Sequence, residues 1–138
     1  MIAHLATVQT IYQAFGRGDI PAILATLAPD VRWEDWSVDH SAQAAGVSTM
    51  LTRRGPDGVM AFFGEVAKLQ VHEFQLKDMF GGDRQVAAEV EIEFTVPATG
   101  IRMRDAELHL WSFDAHGKVV RMRHYIDTAR HMRAHGKA

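Results

Sequence analysis

Residues Asp105 to Asp127 read DAELHLWSFDAHGKVVRMRHYID, and the alternation in this stretch decides how the rest of the chain must be arranged. Two runs rich in aromatic and branched side chains flank the polar connection Asp114-Ala115-His116-Gly117, whose terminal glycine tolerates a positive φ. The stretch is therefore read as an antiparallel β-hairpin. With Phe113 set against Lys118, opposed residue numbers keep a constant sum, which puts His109 opposite Met122 and Glu107 opposite His124. His109 and His124 then share a face with Glu107, Trp111, Val120, Met122 and Ile126, while Leu108, Leu110, Arg121, Arg123, Tyr125 and Asp127 turn the other way. A face that mixes large apolar groups with two imidazoles suits a pocket, and equally suits histidines at a sheet margin with ordinary hydrogen bonds.

Ahead of the hairpin, Leu5, Val8, Ile11, Tyr12 and Phe15 recur at helical spacing and predict an amphipathic helix that ends at Gly16 and Gly18. Asp19 and Pro21 open a second short helix carrying Ile23, Leu24 and Leu27, and Pro29-Asp30 stops it. Val31 to Trp36 alternates with period two, so Val31, Trp33 and Asp35 are expected on one face, a carboxylate beside large apolar groups. Residues 37–54 show no period and read as a long loop, a candidate lid. Gly55-Pro56 starts a third helix with Val59, Phe62, Phe63, Val66 and Leu69 along its buried stripe. Two strands follow, 71–80 and 86–96, the second with Val86, Ala88, Val90, Ile92, Phe94 and Val96 alternating against polar positions. Its three glutamates are spread along one strand face with no histidine near them, and no metal is expected. The tail after Asp127, with His131 and His135 one helical turn apart, reads as an exposed terminal segment.

Three helices in the first half followed by long strands predict one α+β domain over residues 1–138, with helices packed on a curved, mostly antiparallel sheet that leaves a hollow between the layers. A chain of 138 residues with 47% in the hydrophobic class can bury one substantial core. The formal charge of −2, with basic residues scattered, does not point to nucleic acid. The absence of cysteine excludes disulfides, thiol catalysis and thiolate metal sites. No stretch approaches the apolar length of a membrane span, so a soluble cytoplasmic protein is expected.

The segments FGRGDIPAILATLAPDVRWED and HLWSFDAHGKVVRMRHYID resemble the nuclear-transport-factor-like superfamily, and within it the SnoaL-like proteins and ketosteroid isomerases. The resemblance rests on the Gly-Asp between the first two helices, the Asp-Val-x-Trp-Glu-Asp segment and the Gly-Lys-Val-Val hairpin, and it covers essentially the whole chain. It implies a cone-shaped α+β barrel with three N-terminal helices enclosing a pocket. By this resemblance Asp35 falls where the isomerases keep their general-base aspartate, His109 falls where they keep a protonated aspartate, and their first-helix tyrosine falls on Ile11, with Tyr12 about 100° further round the helix. The polyketide cyclases of the superfamily resemble the chain in having a histidine on the strand of His109, and their catalytic carboxylate lies on the last strand, where this sequence has His124.

The expected chemistry is proton transfer next to a carbonyl. Asp35 would be the base, His109 would polarise the carbonyl, and His124 would relay a proton or orient the substrate. Ile11, Tyr12, Trp33, Phe62, Trp111, Met122 and Ile126 would wall the substrate, which implies a hydrophobic small molecule and no cofactor. Two other functions fit the same resemblance: a ligand-binding module without chemistry, and an epoxide-hydrolase-like enzyme. The apolar outer face of the hairpin, together with the resemblance, predicts a homodimer.

Overall fold

The computed structural model describes residues 2–137. Helix α1, Ile2–Gly16, buries Val8 and Ile11 on the stripe its spacing predicts. Helix α2, Ile20–Leu24, is capped by Asp19, whose carboxylate accepts from the Ala22 amide, and has Pro21 in its first turn. Strand β1, Leu27–Trp33, begins earlier than the sequence suggests. Leu27 belongs to this strand rather than to α2, and Pro29 and Asp30 fall within it, where pairing to the neighbouring strand is interrupted between Leu27 and Arg32.

Residues 37–54 are not a plain loop. They hold a short helix α3, Ser41–Ala44, a 3-10 turn at Ser48–Met50 and an edge strand β2, Arg53–Arg54. Helix α4, Gly55–Val66, buries Val59 and Phe62. Strands β3, Gln70–Gly81, and β4, Gln85–Val96, form a long hairpin in which a Cβ on Gly81 would lie 2.6 Å from the Gln85 carbonyl oxygen, so only glycine fits there. Strands β5, Ile101–Phe113, and β6, Val119–Tyr125, form the hairpin read first from the sequence, with Gly117 at φ 77° and both the His116 and Lys118 amides donating to the Asp114 carboxylate. The tail is ordered as α5, Thr128–Ala134, with His131 and Ala134 buried, contrary to the exposed segment expected.

The six strands form one sheet in the order β2-β1-β6-β5-β4-β3. All neighbours are antiparallel except β1 and β6, and β2 and β3 remain free edges, so the sheet is open rather than a closed barrel. Helices α1, α2 and α4 pack on the concave side around Val8, Ile11, Ile23, Val59 and Phe62, against Trp33, Val86, Trp111 and Met122 from the strands. None of the helices among the described residues is long and apolar enough to cross a membrane.

The hairpin register differs from the expected one. His109 faces His124 directly, Leu108 faces Tyr125, and the pairing shifts between Ser112 and Phe113 so that Phe113 meets Val119. The irregularity also changes the parity near the turn. Val119 is fully buried and Val120, expected on the pocket face, is only half-buried.

Candidate active site

The inward residues of β5 and β6, with Trp33 at the end of β1, meet the apolar stripes of α1 and α4 around a cavity of about 80 Å³. Tyr12, Phe15, Phe62, Phe63, Phe74, Trp33 and Trp111 supply aromatic walls, and Glu107, His109 and His124 supply the polar groups. A second hollow of about 60 Å³, bordered by Met50, Leu69, Phe94, Ile126 and His131, shares Phe62, Val66, Ile92, Glu107 and His124 with the first. On the outer side, Tyr12, Phe15 and Phe74 also border an open groove between α1 and β3.

The sequence-predicted residues divide accordingly. Ile11, Tyr12, Trp33, Phe62, His109, Trp111, Met122 and His124 line the main cavity, and Ile126 borders the second hollow. Asp35 lies outside both. Its carboxylate is 3.4 Å from Arg32 and 3.9 Å from Arg54, with the side chain 30% exposed. The carboxylate from this segment that reaches a cavity histidine, His124, belongs to its neighbour Glu34, which is fully buried. Strand alternation assigns Glu34 to the face away from Trp33, but β1 ends at Trp33 and Glu34 adopts φ 56°, a left-handed conformation that resets the parity. Three contacts hold it there: its amide donates to the Met122 carbonyl, and its carbonyl accepts from Gln43 Nε2 and Thr52 Oγ1, both at 2.7 Å.

Glu34 Oε1 accepts from the His124 backbone amide at 2.7 Å and from His124 Nδ1 at 2.6 Å, while Trp36 Nε1 donates to Oε2 at 3.0 Å. A carboxylate so surrounded is an acceptor, so the Nδ1 proton of His124 is fixed on the Glu34 side. His124 Nε2 has no hydrogen-bond partner among the described residues. The rings of His109 and His124 meet edge to face with centroids 4.3 Å apart.

Opposite this pair runs a second buried chain. His109 Nε2 lies 3.1 Å from Glu107 Oε1, its Nδ1 lies 2.5 Å from the Tyr12 hydroxyl, and Trp111 Nε1 donates to the same hydroxyl at 3.2 Å. Behind Glu107, His131 Nε2 stands 2.9 Å from Asp105 and 3.0 Å from Glu107. Burial alone would raise Glu107, but the hydrogen bonds from His109 and His131 outweigh it and hold the carboxyl well below the usual range. Burial would lower His131, yet Asp105 and Glu107 overcome it and push the imidazole up to about 9. His109 is lowered, first by burial and then by the nearby His124, and Tyr12 is raised, mainly by burial.

Sequence reasoning missed Glu34, His131 and Asp105. Only Glu34 left a signal, its place within the Trp-Glu-Asp run beside the residue chosen instead. For a cation, Asp105, Glu107 and His131 are the described residues whose oxygen and nitrogen atoms gather within 4.8 Å, with His131 Nε2 2.9 Å from Asp105 and 3.0 Å from Glu107.

Among solved structures, the chain is similar to an NTF2-like protein of unknown function from Burkholderia pseudomallei, at 28% identity and TM-score 0.78 over 97% of this chain and 98% of that one. It is also similar in fold to TerC co-crystallised with polyporic acid, at 21% identity and TM-score 0.75 over 96% and 97% of the two chains. A Mycobacterium tuberculosis protein in complex with estradiol-17beta-hemisuccinate shares 18% identity and a TM-score of 0.71 over 93% and 96%. No curated protein matches the chain significantly. The SnoaL-like domain model matches residues 8–122, and with the sheet, the helices and the aromatic hollow in agreement, the chain belongs to the SnoaL-like family.

Proposed function

We propose that this chain is an acid-base enzyme acting on a hydrophobic small molecule, moving a proton next to a carbonyl with His124 as the base. The observation that carries this reading is the Glu34–His124 pair, a fully buried carboxylate held 2.6 Å from one imidazole nitrogen while the other nitrogen is left free at an aromatic cavity. Glu34 fixes the ring tautomer and stabilises the imidazolium that forms when Nε2 accepts a proton. The N–H so formed returns the proton at a second atom of the substrate, which is a tautomerisation or isomerisation and needs no cofactor. Ile11, Trp33, Phe62, Trp111 and Met122 exclude water around the transfer. Asp35, engaged with Arg32 and Arg54, has no part in this step.

The test is exchange of deuterium from heavy water into hydroxy-substituted β-tetralones, followed by NMR. Wild-type protein and Asp35→Asn should exchange at rates within about twofold of each other, and Glu34→Gln should fall by about a hundredfold, the scale of a general-base contribution. If Asp35→Asn were the inactive variant, the role assigned to Glu34 would be wrong.

A ligand-binding module is the second reading, favoured by neighbours of the same fold in complex with estradiol-17beta-hemisuccinate and co-crystallised with polyporic acid, and by a structure described as a computationally designed 17-OHP binder. It leads if the probes bind and none exchanges. We also propose that the chain works in the cytoplasm as a homodimer paired through the outer face of β5 and β6, where Tyr125 is 40% exposed.

A further inference from the structure

The positions of the hydrogen atoms on the cavity's polar wall follow from the partners of each group. Glu107 is ionised and offers only lone pairs, so His109 must donate Nε2–H to it. Burial, and then the proximity of His124, keeps the His109 ring neutral, which makes Nδ1 an acceptor. The one group within reach of that lone pair among the described residues is the Tyr12 hydroxyl, at 2.5 Å, so Tyr12 commits its single proton to His109. Trp111 can only donate, and its indole N–H fills one lone pair of the Tyr12 oxygen at 3.2 Å. One Tyr12 lone pair remains. Across the cavity, His124 has its Nδ1 proton on Glu34, and in its neutral form Nε2 is a second bare acceptor. The arrangement is anchored from outside the cavity, because His131 on α5 stands between Asp105 and Glu107 and keeps Glu107 in its accepting form.

We infer that the cavity selects apolar ring compounds that bring their own hydrogen-bond donor, namely phenols, enols and cyclic alcohols, and seats the ligand O–H on Tyr12 Oη or His124 Nε2. A bare ketone or ether finds no donor there, and its oxygen would be buried unpaired. The inference rests on the reading of His124 as a neutral base. It narrows the substrate to a carbonyl compound that also carries a hydroxyl group, or to the enol form itself.

The experiment compares the affinities of phenol, anisole and cyclohexanone for the intact protein by NMR titration. Phenol should bind about tenfold tighter than either of the others, the value of one additional buried hydrogen bond. In Tyr12→Phe the preference for phenol should persist, because His109 Nδ1 then becomes the exposed acceptor. Equal or tighter binding of anisole or cyclohexanone overturns the inference, as does failure of all three to bind. A selective loss of cyclohexanone affinity in Tyr12→Phe overturns it too, since that result would show Tyr12 donating to ligands. Nitrogen NMR of the imidazoles gives a reading without any ligand: a proton on His109 Nδ1 rather than Nε2 would refute the arrangement. Loss of deuterium exchange with the phenol preference intact would reject the proposed reaction and leave this inference standing.

Discussion

Glu34 and Asp35 are neighbours in the chain and meet unrelated partners, because one backbone angle separates them. Alternation along β1 is legible in Val31 and Trp33, and it fails where the strand ends and Glu34 turns left-handed. A non-glycine residue in that region costs on the order of 1 kcal/mol, and here the hydrogen bonds from Gln43 and Thr52 offset it. His131 illustrates the same limit of sequence reading. Nothing in TARHMRAHGKA distinguishes a buried imidazole from a solvated one, since its partners Asp105 and Glu107 lie on another element. Its raised pKa carries a pH signature. An imidazole whose folded pKa is about 9, above an unfolded value of about 6.5, contributes its stability in full below about pH 6.5 and loses it as pH rises through about 9. The contribution is at most about 3 kcal/mol on that shift. Urea denaturation of the wild type should therefore show stability declining between neutral pH and about 9, and His131→Gln should flatten that decline. A wild-type profile already flat over this interval would show that His131 is not charged in the folded protein.

At the scale of elements, the strands and long helices announced themselves through periodicity, and the short pieces did not. β4 has the cleanest alternation and buries Val86, Ala88, Val90, Phe94 and Val96 of its inward set, with Ile92 half-buried, while β5 carries Glu107, His109 and Trp111 inward and Leu108 and Leu110 outward, again as the alternation requires. Register was harder. The irregularity between Ser112 and Phe113 moves the pairing so that the two histidines face each other, and no sequence pattern marks it. Residues 37–54 were legible only as aperiodic. Their irregular path lets Gln43 on α3 and Thr52 before β2 reach the same carbonyl oxygen of Glu34 from two directions, which ties this segment to the backbone of Glu34. The double variant Gln43→Ala/Thr52→Ala should lose about 1 kcal/mol per hydrogen bond at most, and should lower deuterium exchange into a hydroxy-substituted β-tetralone more than that stability loss explains, by loosening Glu34 against His124. Unchanged exchange in a destabilised variant would leave the segment a purely structural role.

For the whole molecule, the open sheet sets what its outer face must do. Toward β3 that face is covered by charge, with Arg104 bridging Glu73, Glu91 and Glu93, and Arg102 paired to Glu93. Toward β6 it becomes apolar, where Leu110 lies opposite Arg123 and Leu108 opposite Tyr125, and Trp36 packs edge-on against Tyr125 with Arg123 stacked over its ring. Tyr125 stays 40% exposed and both leucines are only half-buried, so the ridge is where the proposed second copy would pair, with the charged part of the sheet as its rim. A two-fold pairing places the same ridge on both partners and leaves the concave cavity of each untouched. Light scattering at micromolar concentration should give twice the mass of the 15.4 kDa chain for the wild type and a single chain for Leu108→Lys. Because Leu108 points away from the cavity, the Leu108→Lys monomer should keep the phenol preference of the wild type. A monomeric wild type would remove the homodimer and leave the ridge without a partner, whereas a monomeric variant that lost ligand binding would show that pairing shapes the pocket through the β5–β6 hairpin.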